Sequence, residues 1–316
     1  MQNQIIIQET LPARRIADGY YKNFLDYCDI KPNTLEGYSK AIRRFHRFLQ
    51  GNGITAPTRE DIRAYRAELI ETMRPASVQY YISVLRLFFN WLEYEGLYDN
   101  VAIHLKAGVK VDRLHKRTGL NERQIASVLN GVDCGAQSGL RDYALFLTMY
   151  YGGFRVIELV RANIEDLETI DGVAYLFFQG KGKDEKAAAK IIPQDALEAI
   201  RAYLATRKHT KPGSPLFASV SNHKTESGRL TTRSVSRIVK TLLKAAGFDS
   251  SKIVAHSIRK SAITNARLLG ADISEAQHFA GHASPNTTMI YDDSQHQKLN
   301  RCPGLLSQSL TQYLRI

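Results

Sequence analysis

Apolar residues recur every three or four positions through most of this chain, in blocks short enough to be single helices. From Pro32-Asn33 onward, Leu35, Tyr38, Ile42, Phe45 and Leu49 keep that spacing, while Lys40, Arg43, Arg44 and Arg47 occupy the other faces. The pattern predicts an amphipathic helix with a basic side, stopped at Gly51-Asn52-Gly53. Thr58 with Asp61 three positions on has the form of a capping box, and Ile62, Tyr65 and Leu69 carry the period to Arg74-Pro75. A further series, Val78, Tyr81, Ile82, Leu85, Phe88, Phe89 and Leu92, ends near Gly96. With a weaker helix over 13–28, behind a short polar lead that holds Ile5-Ile6-Ile7, residues 1–103 read as a four-helix unit.

The period then lapses. Residues 104–119 hold Lys106, Lys110, Arg113, Lys116 and Arg117 with little patterning, which predicts a basic interdomain linker, mobile without a ligand. A second domain over 120–298 opens with a helix capped at Asn121, followed by the apolar segment Tyr143–Tyr150, a break at Gly152-Gly153 and a helix over 155–160. Val173–Phe178 reads as a strand, Gly180-Lys181-Gly182-Lys183 as a turn, and a second strand ends at Ile191-Ile192-Pro193. Helices over 196–207, 232–245 and 256–269 follow, so the fold class is mainly α with a small β-sheet.

At 316 residues the chain is long enough for two cores, and its apolar share of 44% is that of a soluble globular protein. The net charge of +12 implies a polyanionic partner, nucleic acid first among them. The first 103 residues are nearly balanced, 13 basic to 12 acidic, so the excess sits in the linker and the second domain. Cys28, Cys134 and Cys302 are far apart and odd in number, which fits neither a disulfide framework nor a zinc site and points to a reducing cytoplasm. There is neither a membrane-length apolar run nor a signal-peptide pattern, so no membrane association is expected.

The chemistry concentrates late in the chain. His256 and Arg259, three apart, share a helical face; Gly281-His282 follows a short helix; Tyr291 closes Thr287-Thr288-Met289-Ile290-Tyr291; and Arg155 ends an upstream Gly-Gly-Phe-Arg. Two imidazoles, two guanidiniums and a phenol suit phosphoryl transfer through tyrosine. A phosphodiester gathers negative charge toward its transition state, arginine forks grip its oxygens, and histidines handle the phenol proton. Arg155, a turn lysine 26 residues later, His256 with Arg259, His282 after 23 more and Tyr291 after another nine form an ordered set. In that order, and in the segments Gly153–Leu159, Gly180–Lys186 and Ala280–Tyr291, the chain resembles the tyrosine recombinase (phage integrase) family, its Xer-like simple-site members in particular.

The resemblance implies a two-domain C-shaped clamp on duplex DNA, with an N-terminal SAM-like core-binding domain and a C-terminal catalytic domain. Tyr291 would attack the scissile phosphate, Arg155 and Arg259 would hold its oxygens, His282 would hydrogen-bond to the same centre and His256 would assist the phenol proton. The general acid would be Lys181 or its neighbour Lys183; the family's lysine stands between two glycines, which favours Lys181. Glu158 matches the acidic neighbour that steadies the site. The basic side chains of the second helix and the linker are the candidates for DNA backbone contacts. Lys260 stands where many relatives have histidine, and Phe279-Ala280 where a leucine is usual before the glycine.

No metal or other cofactor is implied, since paired carboxylates and a phosphate-cradling nucleotide loop are both missing. Strand exchange would run through a covalent 3′-phosphotyrosyl link and a Holliday junction. The expected assembly is a dimer on one site and a tetramer in synapsis, with accessory proteins compatible with it. Leu305, Leu306, Leu310, Tyr313 and Leu314 predict a final helix within 299–316 that docks on its own domain or a neighbouring protomer. The short lead before residue 16 leaves no length for an arm-binding module.

Overall fold

The computed structural model describes residues 15–110, 118–180, 185–208, 210–220, 228–282, 284 and 287–289, and the chain divides into two compact units, Met1–Asp112 and Arg113–Ile316. Arg113, Lys116, Arg117, Lys181, Lys183, Tyr291 and the expected final helix lie outside the described residues.

The first unit is built from α1 (Asp18–Tyr27), α2 (Pro32–Gly51), α3 (Arg59–Thr72) and α4 (Pro75–Tyr94). Proline opens α2 and α4, where its missing N–H would have no helical partner in any case. At α3 the expected capping box forms: the Thr58 amide donates to Asp61 at 2.7 Å and the Asp61 amide donates to the Thr58 hydroxyl at 3.3 Å. The core gathers Ile42, Phe45 and Leu49 from α2, Ile62, Tyr65 and Leu69 from α3 and Val78, Leu85, Phe88 and Phe89 from α4. Phe45 meets Tyr65 and Phe89 edge to face, at centroid distances of 5.1 and 5.9 Å, the arrangement that aromatic quadrupoles favour.

Two sequence expectations change here. Arg44 is half-buried rather than a free basic side chain, and donates to Glu68 at 3.2 Å and Thr72 at 2.7 Å, joining α2 to α3. Residues 104–110, expected to be loose linker, lie against the helices: Leu105 is buried, Ala107 and Val109 pack beside it, Arg66 donates to the Lys106 carbonyl and Gln79 to that of Val109. Their apolar positions alternate with Lys106, Gly108 and Lys110, a two-residue period that a search for helical spacing passes over.

The second unit contains α5 (Glu122–Asn130), α6 (Gln137–Gly152), α7 (Val156–Arg161), the strands β1 (Leu167–Ile170), β2 (Val173–Phe178) and β3 (Ala188–Ile191), then α8 (Gln194–Ala205), α9 (Thr232–Ala245), α10 (Ala255–Leu268) and α11 (Ile273–Ala280). The strands form an antiparallel sheet in the order β1-β2-β3, with Leu167 opposite Leu176 and Leu176 opposite Lys190. Apolar residues of α6, among them Leu145, Phe146 and Met149, share a core with Ile200 and Tyr203 of α8, Val239 and Leu243 of α9 and Ile258 of α10. The α10 helix also buries polar groups. Ser261 accepts the Leu120 amide at 2.7 Å, and Asn265 donates to the Leu120 carbonyl at 3.2 Å and the Tyr150 hydroxyl at 3.0 Å.

Phe45→Ala leaves a cavity in the first core and is expected to cost about 3–5 kcal/mol. Trp91, the sole tryptophan, lies in that core, so its fluorescence during urea unfolding should report a matching fall in midpoint.

Candidate active site

Two helix C-termini with the same ending supply the site. The α6 helix ends at Gly153 and α11 at Gly281, both left-handed with φ of 54° and 59°. Glycine enters that region without the penalty of a side chain. At Gly153 there is also no space, because an added Cβ would stand 2.9 Å from the Phe279 ring. Arg155 comes two residues after the first glycine and His282 directly after the second, so each side chain is aimed by a helix stop.

Helix ends leave carbonyls without helical partners and a partial negative charge. Two cations occupy this one. Arg259 of α10, only 1% exposed, donates to the Gly153 carbonyl at 2.5 Å and, through its other arm, to the Ala280 carbonyl. Lys190 of β3 donates to the Phe279 carbonyl at 2.7 Å and to the Gly152 carbonyl. Its ammonium also stands 4.9, 5.4 and 5.1 Å from the ring centroids of Phe154, Phe178 and Phe279. Burial, reinforced by the charge of Arg259 and to a lesser degree Arg155, and opposed by Glu158, pulls the Lys190 ammonium down to about 7.

Arg155 is held by a carboxylate. Glu158, 1% exposed, accepts the Arg155 amide and its guanidinium, each at 2.8 Å, and the other guanidinium nitrogen lies 3.5 Å from the Gly281 carbonyl. His282 meets Thr288 through Nδ1 at 2.9 Å, and its backbone exchanges two hydrogen bonds of 3.1 Å with Gln277. Arg155, Glu158, Lys190 and His282 line a cavity of about 910 Å³, together with Gly180 and Glu185, which flank the segment that holds Lys181 and Lys183.

Of the residues singled out in the sequence, Arg155, Glu158, Arg259 and His282 converge on these two turns. His256 stands on the exposed side of the first turn of α10. Sequence reading passed over Lys190. Lys40, Arg43, Arg47, Lys106 and Lys110 are exposed on the first unit, with Lys40 paired to Glu36 at 2.6 Å.

Residues 119–298 match the phage integrase family and residues 21–99 its N-terminal SAM-like domain. The chain belongs to the phage integrase family. Two similar relatives are the tyrosine recombinase XerD of Listeria monocytogenes and the tyrosine recombinase XerC of Pelobacter propionicus. The first is 29% identical over 270 residues, 83% of this chain and 88% of that one; the second is 30% identical over 281 residues, 86% and 87%. Among solved structures, the XerH site-specific recombinase bound to palindromic difH substrate in a post-cleavage complex aligns with a TM-score of 0.68 at 18% identity, covering 87% of this chain and 80% of that one. As a member of this family the chain is a tyrosine recombinase, with the family's helical N-terminal domain and mixed catalytic domain. Among the described residues no helix is long and apolar enough to cross a membrane.

The lowered Lys190 pKa has a consequence for stability. An unfolded lysine keeps its proton up to about 10.4, whereas the folded group releases it near 7. Between those values the unfolded state binds more protons, so this group makes stability rise with pH. Urea unfolding followed by circular dichroism should show the stability of the wild type increasing, relative to Lys190→Met, from pH 7 to 9.5.

Proposed function

We propose that this tyrosine recombinase exchanges DNA strands at specific sites through a covalent bond between Tyr291 and a 3′-phosphate. The observation that carries the reading is the convergence of Arg155, Arg259 and His282 on the two turns beside one cavity, with Glu158 holding the first. Two guanidiniums and an imidazole fixed before substrate arrives form a preorganised cradle for the negative charge of a phosphodiester transition state.

In the reaction the Tyr291 oxygen forms a bond to phosphorus while the bond from phosphorus to the 5′ oxygen breaks. The phenol proton leaves with help from His256, and Lys181, or Lys183 beside it, gives a proton to the departing 5′ oxygen. Attack on the phosphotyrosine by a 5′-hydroxyl from a second duplex reverses the chemistry on a new partner. Because the bond energy is kept in the protein–DNA link, the exchange needs no external energy source. The chain acts on double-stranded DNA, as a dimer on one site and a tetramer in synapsis through a Holliday junction, in the cytoplasm. Exposed Arg43, Arg47, Lys106 and Lys110 on the first unit are suited to phosphate backbone contacts, as are the linker cations Arg113, Lys116 and Arg117.

A nicked duplex that loses its 5′-hydroxyl fragment on cleavage traps the intermediate. On such duplexes bearing the cognate site, wild-type protein should form an adduct that protease digests, and Tyr291→Phe should bind equally well and form none. Firm binding by the wild type without any adduct would contradict the proposal. Arg155→Ala removes one of the fixed donors and is expected to slow adduct formation by on the order of 10²–10³-fold.

A further inference from the structure

The phosphodiester chemistry proposed above assigns no task to Lys190, yet its amine is held from several sides. Its ammonium reaches the carbonyls of Gly152 and Phe279, one from each of the two helix ends, and three aromatic rings lie within 5.4 Å of it. Arg259 repeats the span one residue further along, from Gly153 to Ala280. Consecutive carbonyls on the α6 end are therefore tied, one by one, to consecutive carbonyls on the α11 end.

We infer that Lys190 is a positioning residue for strand cleavage, which ties the turn carrying Arg155 to the turn carrying His282 so that both meet one phosphate. The role follows from reach and strand register. Lys190 pairs with Leu176, whose side chain is buried, so its side chain leaves β3 toward the interior, whereas the neighbouring Ile191 is 58% exposed. Arg259 alone holds the turns at one point each; a second tie, displaced by one residue on both strands of backbone, opposes rotation about the first. Arg155 is already joined to the far turn by its 3.5 Å contact with the Gly281 carbonyl, so a rotation of either end would draw its guanidinium and the His282 imidazole apart. Phe279 covers both Lys190 and Gly153 and closes the joint.

Lys190 contributes by holding the two turns, and the proton for the leaving oxygen comes from Lys181 or Lys183. A 5′-bridging phosphorothiolate separates the two roles, because a thiolate leaves without a proton. The inference rests on the cleavage reading, and hydrogen exchange at the two turns tests it independently of activity. In Lys190→Met, which keeps the stem and removes the donors, backbone amides of 153–158 and of 280–282 should both exchange faster. Adduct formation should fall by about 10²-fold, the scale of a misplacement of about 1 Å. Duplex affinity should be unchanged, and the phosphorothiolate should restore nothing. Lys190→Arg, which retains charge and two-carbonyl reach, should recover part of the rate. Should Lys190→Met not fold, Lys190→Gln, too short to reach both carbonyls, takes its place. Unchanged exchange at either turn overturns the inference, as does full recovery on the phosphorothiolate, which would make Lys190 itself the acid. A wild type that forms no adduct contradicts the cleavage reading instead and leaves the exchange result to decide the tie.

Discussion

A buried guanidinium bonded to two helix ends is the interaction on which the second unit's site depends. Arg259 is almost wholly removed from water, a state that costs several kcal/mol unless the charge finds partners. It finds them in the Gly153 and Ala280 carbonyls, the negative ends of α6 and α11. The cation stabilises two helix termini at once, and they in turn hold it in one orientation. Charge that is fixed in advance is the kind that is most effective in catalysis, and in Arg259 both arms of the guanidinium are fixed by these bonds. The helices are stopped by glycines with positive φ, and the stops deliver Arg155 and His282 to the same place.

The two units use different physics for different ends. The first is held by aromatic and aliphatic packing, with Phe24, Phe45, Phe88 and Phe89 buried among the helices, and its exposed cations are distributed outside. The second carries a helix, α10, whose buried side includes Ser257, Arg259, Ser261, Thr264 and Asn265. Apolar packing alone would tolerate small sliding of α10 against α6. The directional bond from Asn265 to Tyr150 of α6 does not, and the bonds that Ser261 accepts from the Leu120 amide and Asn265 donates to the Leu120 carbonyl add to it, so the helix that presents Arg259 is fixed in register as well as in position.

What could be read in the sequence was local. Reciprocal caps such as Thr58 with Asp61 and Asn121 with Gln124 need only neighbouring residues, and both form as their spacing implies. Four helices of the first unit and the helical run of the second follow from apolar spacing. Arg155, Arg259 and His282 were legible because their order and spacing match a known family. Non-local features were harder to see. The strand β1 has one partly buried residue in four and reads as polar loop, although Asp171-Gly172, with φ of 50° and 80°, is a hairpin turn signal that could have marked it. Leu105, Ala107 and Val109 follow a two-residue period outside any sheet. Lys190 was hidden by its neighbour, since Ile191 looks like the core residue of β3, and only pairing with β2 turns the lysine inward. Arg44, apparently one of a basic row, is drawn to Glu68 from a helix 24 residues away in the chain.

If the two turns move as one body because Arg259 and Lys190 hold them jointly, the effects of loosening either must be coupled. The direct measurement is a double-mutant cycle on the adduct-forming rate, with Arg259→Lys, Lys190→Met and the pair on the same suicide duplex. Joint action predicts a double variant much faster than the product of the two single losses would make it, because either change already frees the turns. Losses that multiply would show that the two cations act separately, and would contradict the account.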